Sequence, residues 1–155
     1  GSHFILDKIG KNITLNDIRD TVKAFKNAKI KIYNYFVLGL PWEDEETAHA
    51  TIDFAIELDT DFVSFYTATP LPGTRFYNYA IKELHEDIEN FDNAYYKPIL
   101  DTYSLSKERV LELHKLAVKS FYLRPLYILK MLFKIRSLYE IKSYFLAGME
   151  ILLNR

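Results

Sequence analysis

The residues of this chain with the means to do chemistry gather at two turns. Gly39-Leu40-Pro41-Trp42-Glu43 follows an apolar segment at 33–38, and Thr69-Pro70-Leu71-Pro72-Gly73-Thr74 closes a second apolar segment at 62–69. An acid-opened helical pattern lies between them, so the order is strand, turn, helix, strand, turn, with both turns at the carboxyl ends of strands. Ligands of open and barrelled α/β sheets sit at such ends. The stretch therefore reads as half of a small-molecule site. Period-two alternation places Tyr35, Val37 and Gly39 on one face of the first strand. Phe65 and Thr67 share a face of the second, with Tyr66 pointing the other way onto a helix. Gly39 permits close backbone approach where a side chain would collide, and Ala68, Thr69 and Pro70 carry the chain over the pocket mouth.

Other chemistries are poorly supplied. Without cysteine there are no disulfides, thiolate nucleophiles, Cys-based zinc sites or Cys-held iron-sulfur clusters within this chain. His49, His85 and His114 are isolated on predicted helices without partners at ligand spacing, so neither a metal site nor a catalytic residue is expected. The acids Glu43, Asp44, Glu45, Glu46, Asp53, Glu57, Asp59 and Asp61 run without an intervening Lys or Arg. They read mostly as a solvated helix face.

The elements that must position the two turns are legible in order. Gly1-Ser2-His3 looks like a tag-cleavage scar, followed by a short segment from Phe4 that ends at Gly10-Lys11-Asn12. Thr14 stands three residues before Asp17 in the manner of a helix cap, and Ile18, Val22 and Phe25 give residues 15–28 an inward stripe. The strand at 33–38 is apolar on both faces, as expected when helices cover one side and core the other. Asp44 or Glu43 caps the next helix, whose inward stripe is Ala48, Ile52 and Ala55. With the strand at 62–69 this makes a βαβ unit, whose strands should lie parallel. Phe76, Tyr77 and Ala80 open another helix, and 87–98 is an acidic, aromatic, irregular flap or linker.

After Tyr103 the pattern is helix alone. Ser106 caps a helix with Val110, Leu113, Ala117 and Phe121 inward, Pro125 suits the first turn of the next, and Ser137 to Glu140 form a capping box for a last one. The predicted divisions are therefore 1–3, 4–101 as an α/β unit and 102–155 as a helical extension. A chain of 155 residues with 49% hydrophobic content suffices to bury about two-thirds of its unfolded surface. Its net charge of -1 offers no general attraction to nucleic acid. No apolar run approaches the roughly 18 to 20 residues of a membrane span, and no signal peptide is visible, so a cytoplasmic location is expected.

Three segments in this order, Tyr35-Phe36-Val37-Leu38-Gly39-Leu40-Pro41 followed by acids, Thr69-Pro70-Leu71-Pro72-Gly73-Thr74, and Phe121-Tyr122-Leu123-Arg124-Pro125, resemble the carboxyl-terminal half of a radical S-adenosylmethionine (SAM) enzyme. The likeness is to the branch with an upstream cobalamin-binding domain and covers most of the chain from Phe4. It implies an α/β fold, part of a (β/α) TIM-type barrel with parallel strands, followed by an all-helical tail. In that family a CxxxCxxC loop holds a [4Fe-4S] cluster that cleaves SAM to a 5'-deoxyadenosyl radical. Those cysteines and the Gly-rich SAM segment belong to the amino-terminal half, so the resemblance implies a fragment, inactive alone, whose partner is the missing half of the barrel. Whether cobalamin is a cofactor stays open, as does the small-molecule substrate.

The resemblance also implies roles. Lys11 stands where relatives place a basic residue near the SAM carboxylate or ribose. Val37, with Tyr35 and Gly39 on its face, matches the family's apolar contact to adenine, and Phe65, Thr67 and Ala68 stand where relatives read the adenine edge. Glu43 corresponds loosely to the family's terminal acid and here more readily starts a helix. Two unpaired strand edges favour self-association or partial disorder, centred on 85–100. The alternative class is a non-catalytic interaction module whose basic, aromatic tail, with Leu126, Leu129, Leu132 and Phe133 beside Lys130, Lys134 and Arg136, docks on a membrane surface or partner. A helix packed on one side with snorkelling lysines gives the same pattern, and membrane association is not expected.

Overall fold

A computed structural model describes residues 1–83, 98, 100–134, 146, 149 and 151. Its elements are α1 (His3–Lys8), α2 (Leu15–Asn27), β1 (Tyr33–Leu38), α3 (Glu45–Leu58), β2 (Phe62–Thr67), α4 (Arg75–Glu83), α5 (Lys107–Tyr122) and α6 (Pro125–Lys134). The two strands pair in parallel, from Tyr33 opposite Phe62 to Leu38 opposite Thr67. The fold is thus mixed α/β, with the crossover helix α3 between parallel strands.

Local signals set the helix starts. The Thr14 hydroxyl accepts from the Asp17 N–H while the Asp17 carboxylate accepts from the Thr14 N–H, a reciprocal cap that satisfies two otherwise orphaned donors. Asp44 and Thr47 do the same for α3, so Asp44 and not Glu43 caps that helix. Ser106 caps α5, and Pro125 occupies the first turn of α6, where its missing N–H costs nothing. Residues 1–3 are packed: Ser2 caps α1, and Gly1 lies so close to Ala50 and Thr51 that a Cβ there would sit 2.3 Å from Thr51 Cα.

One face of the sheet is closed. Leu38, Val63 and Phe65 are buried there against Ala48, Ile52 and Ala55 of α3 and Val110, Leu113, Ala117 and Phe121 of α5. Tyr127 and Met131 of α6 join the same core, which therefore crosses the division expected at residue 102. A smaller cluster joins Leu15 and Val22 of α2 to Ile32, Phe54 and Leu58. Phe25, expected in the inward stripe, lies outside that cluster and is 45% exposed.

The other face is open. Tyr33, Tyr35 and Val37 are 49%, 65% and 41% exposed, so β1 is covered on one side only, where helices were expected on one side and core on the other. Their side chains share this face with Phe62, Ser64 and Tyr66, the directly opposed residues of β2. The flap at 87–98, the association expected near 85–100 and the last capped helix lie largely outside the described residues. No helix among the described residues is long and apolar enough to cross a membrane.

Candidate functional site

An open groove of about 600 Å³ lies at the carboxyl ends of the two strands. Val37 and Leu40 line it from β1 and its turn, Tyr66, Thr67, Ala68 and Thr69 from the end of β2, and Leu71 and Phe76 from the following loop and α4. The lining is apolar with a few polar groups, a composition suited to a flat organic ring. The Tyr35 ring stacks on the Tyr66 ring at 5.9 Å, and Tyr33 lies 4.9 Å from Tyr35. A continuous aromatic floor thus leads from the groove toward the amino ends of the strands.

Of the residues singled out from sequence, Val37, Thr67 and Ala68 line the groove, and Tyr35 lies beside it on the same face. Phe65 faces the opposite way: it is buried against the helices, stacked at 5.6 Å on Phe36. Tyr66, expected against a helix, takes the open face opposite Val37 because the parallel register fixes the parity of both strands together. Lys11 sits in the exposed turn after α1 and is not among the lining residues.

Gly39 has a different reason to be glycine from the one its position suggested. Its φ is +82°, and a Cβ there would lie 2.8 Å from Val110 Cγ1 of α5. Both the left-handed backbone and the approach of a helix exclude a side chain. The residue that would collide is 71 positions further on, so no local pattern could name it.

Glu43 holds this turn from inside. It is 1% exposed, its Oε2 accepts the Gly39 N–H at 2.5 Å, and its N–H bonds to Leu40 O. Oε1 has no hydrogen-bond partner among the described residues. Burial pushes the carboxyl up to about 7, with the Gly39 N–H and the charge of the Gly1 amine opposing. The turn between β1 and α3 is thereby tied shut by its own side chain, and Leu40 is presented to the groove.

Glu45, Glu57 and Asp59 of the run are half-exposed tethers. Arg19 of α2 pairs with Glu57, and Arg109 of α5 pairs with Glu45 and Glu112. Asp59, left-handed at φ 38°, accepts from Arg124 at 3.1 Å and from Lys130 at 3.2 Å. Arg124 also donates to Ile56 O and Phe121 O, so it closes the carboxyl end of α3. The basic partners come from α2, α5, the α5–α6 junction and α6. Among the described residues no group of three or more His, Cys, Asp or Glu is arranged to hold a metal ion.

No family model matches the chain. It is 37% identical over 133 residues to an uncharacterized methyltransferase of Pyrococcus horikoshii, covering 84% of this chain and 28% of that protein. It is 28% identical over 99 residues to the bacteriochlorophyllide d C-12(1)-methyltransferase of Chlorobaculum tepidum, covering 63% and 21%. It is 26% identical over 110 residues to the anaerobic magnesium-protoporphyrin IX monomethyl ester cyclase of Cereibacter sphaeroides, covering 69% and 17%. The chain spans less than a third of the length of each of these relatives, and over those stretches their names fit the radical SAM resemblance.

Proposed function

We propose that this chain is the carboxyl-terminal part of a radical SAM enzyme and supplies part of the pocket for the SAM nucleoside. The observation that carries the reading is the groove at the Gly39 and Pro70 ends of two neighbouring parallel strands, with Val37 and Tyr66 side by side in its lining. An adenine ring fits such a lining: Val37 offers a flat apolar contact, Tyr66 a ring edge, and the backbone of 67–69 the polar groups that orient a base. SAM supplies the radical chemistry when bound beside a cluster. This chain's residues bind and orient it, and exclude water.

Tyr35 forms the floor beneath that contact. Phe65 acts from behind, fixing β2 against α3 and α5 so that Thr67 and Ala68 keep their places. Lys11 is assigned to the SAM carboxylate or ribose as a cation following a short helix, a role that requires the preceding part of the protein to bring the ligand to it. The [4Fe-4S] cluster, and cobalamin if the enzyme uses it, belong to that preceding part, since this chain has no thiolate to offer. The chain alone is then not catalytic.

Titration of the full-length protein with SAM tests the pocket. Val37→Asp puts a desolvated charge against the base and should weaken binding by at least about tenfold. Lys11→Glu should weaken it less. Unchanged affinity in Val37→Asp would remove the pocket assignment.

The second reading, docking by the tail, draws on α6. Leu126, Leu129, Leu132 and Phe133 are 81%, 50%, 59% and 82% exposed. Flotation of the protein with anionic vesicles tests it; a protein that stays at the bottom of the gradient ends that reading.

A further inference from the structure

The rings carried by the two strands divide by face. On the closed face they are phenylalanines, Phe36 and Phe65, stacked at 5.6 Å, with Phe54 of α3 edge-on to Phe36 at 6.5 Å. On the open face three of the four are tyrosines, Tyr33, Tyr35 and Tyr66, and the fourth is Phe62 beside Tyr33. A phenol has one capacity that a benzene ring lacks. It can give up a hydrogen atom, or an electron and a proton, and spread the resulting radical over its ring.

Tyr66 lines the groove. Its ring centroid lies 5.9 Å from that of Tyr35 with the planes 20° apart, and Tyr35 lies 4.9 Å from Tyr33 at 30°. Tyr33 begins β1, so the contacting rings run from the groove to the far end of the strand. The Tyr33 hydroxyl is 2.7 Å from Ser64 Oγ, which fixes the last ring of the row. Offset stacking at such separations brings the π-systems into contact, and rings in contact pass an electron without a bridging group. Water explains a hydroxyl on any one of these partly exposed rings. It does not explain a row of them leading out of the groove.

We propose that Tyr66, Tyr35 and Tyr33 form a hole-transfer line that takes a carbon radical out of the groove when no substrate consumes it. The proposal rests on the reading above, which supplies the oxidant: a primary alkyl radical from reductive cleavage of SAM. In the first step the Tyr66 O–H bond breaks homolytically and a C–H bond forms on the alkyl carbon, giving 5'-deoxyadenosine and a neutral Tyr66 phenoxyl. A primary C–H bond is stronger than a phenol O–H bond, so this step runs downhill. In the second, an electron passes from Tyr35 to Tyr66 through the stacked rings, while Tyr35 releases its phenol proton to solvent at the open face and Tyr66 takes one up. The same exchange between Tyr33 and Tyr35 leaves the radical on Tyr33. That ring is 49% exposed and lies at the opposite end of β1 from the groove. The oxidised site is then out of contact with the nucleoside.

The full-length enzyme with its cluster, given SAM and a stoichiometric one-electron reductant in deuterium oxide without substrate, provides the test. The 5'-deoxyadenosine formed should carry deuterium from the exchanged Tyr66 hydroxyl. Electron paramagnetic resonance of the frozen sample should show a tyrosyl radical, identified by the collapse of its ring-proton splittings in enzyme made with ring-deuterated tyrosine. Tyr66→Phe keeps the stacked ring and removes the O–H, and should lower both the tyrosyl signal and the deuterium content at least about tenfold. Tyr35→Phe should leave the deuterium content unchanged and hold the radical on Tyr66, which changes the methylene splittings of the signal because that ring stands at its own angle. A tyrosyl signal that survives Tyr66→Phe would overturn the proposal. So would a signal in Tyr35→Phe identical to that of the unsubstituted enzyme, since the radical would then not move along the row. The two readings separate cleanly: 5'-deoxyadenosine formed without a tyrosyl radical ends the line alone, and no 5'-deoxyadenosine at all ends the SAM reading and the line with it.

Discussion

The two faces of the β1–β2 sheet are built from equally apolar residues and have opposite fates. On one, Leu38, Val63 and Phe65 are at most 2% exposed beneath α3 and α5; on the other, Tyr33, Tyr35 and Val37 are 41% to 65% exposed. An apolar strand says that both its faces avoid water, and does not say which is covered by its own chain. Here α3 and α5 are both spent on one side. The large rings on the other side stack among themselves, Tyr33 on Phe62 at 5.8 Å and Tyr35 on Tyr66 at 5.9 Å, which relieves part of the cost of exposure.

Substitutions on the two faces should therefore differ sharply in urea denaturation. Phe121→Ala removes a ring with no exposed surface and should lower the unfolding free energy by about 3–5 kcal/mol. Gly39→Ala brings left-handed strain and a collision with Val110, together about 3 kcal/mol. In the double variant with Val110→Ala the losses should sum to less than the two singles, because the collision is gone.

Glu43 sharpens the comparison through pH. Its folded-state carboxyl is raised from 4.5 to about 7, so the folded form holds a proton that the unfolded form has released between those values. Glu43's own contribution should fall as pH rises across that window, by no more than about 3 kcal/mol, while the Gly1 amine, lowered by burial from 8.0 to about 6, restores stability between those two values. Glu43→Gln should abolish the fall. The smallest effect belongs to the open face: Tyr35→Ala should cost no more than about 0.5 kcal/mol in this chain. A loss as large as that of Phe121→Ala would mean that the two faces are not different at all.

Much of the frame was legible because its causes are local. The caps at Thr14, Asp44 and Ser106 and the inward stripes Ala48-Ile52-Ala55 and Val110-Leu113-Ala117-Phe121 each need only a few neighbouring residues to be recognised. Parity was harder. Val37 and Tyr66 share a face only through the register of two strands separated by a helix, and the hint lay in Ser64, whose hydroxyl marks its face of β2 as the one away from the core. What depends on distant partners was not legible. Gly39 answers to Val110, Asp59 to Arg124 and Lys130, and the Val63 backbone to Tyr122. Leu71 and Phe76 reach the groove because the loop after Pro70 folds back over it, which composition alone does not encode.

The shared core also bears on where this molecule could be cut. Val110, Leu113, Ala117 and Phe121 are the lid on Leu38, Val63 and Phe65. A chain stopped at residue 101 would uncover the part of that second sheet face that α5 and α6 protect, leaving a two-stranded ribbon supported by α3 and α2 alone. Such a ribbon is marginal by itself. The helices after residue 106 are therefore as much a part of the sheet's foundation as the crossover between its strands, and a protease that severed them would dismantle the groove at the opposite surface without touching it.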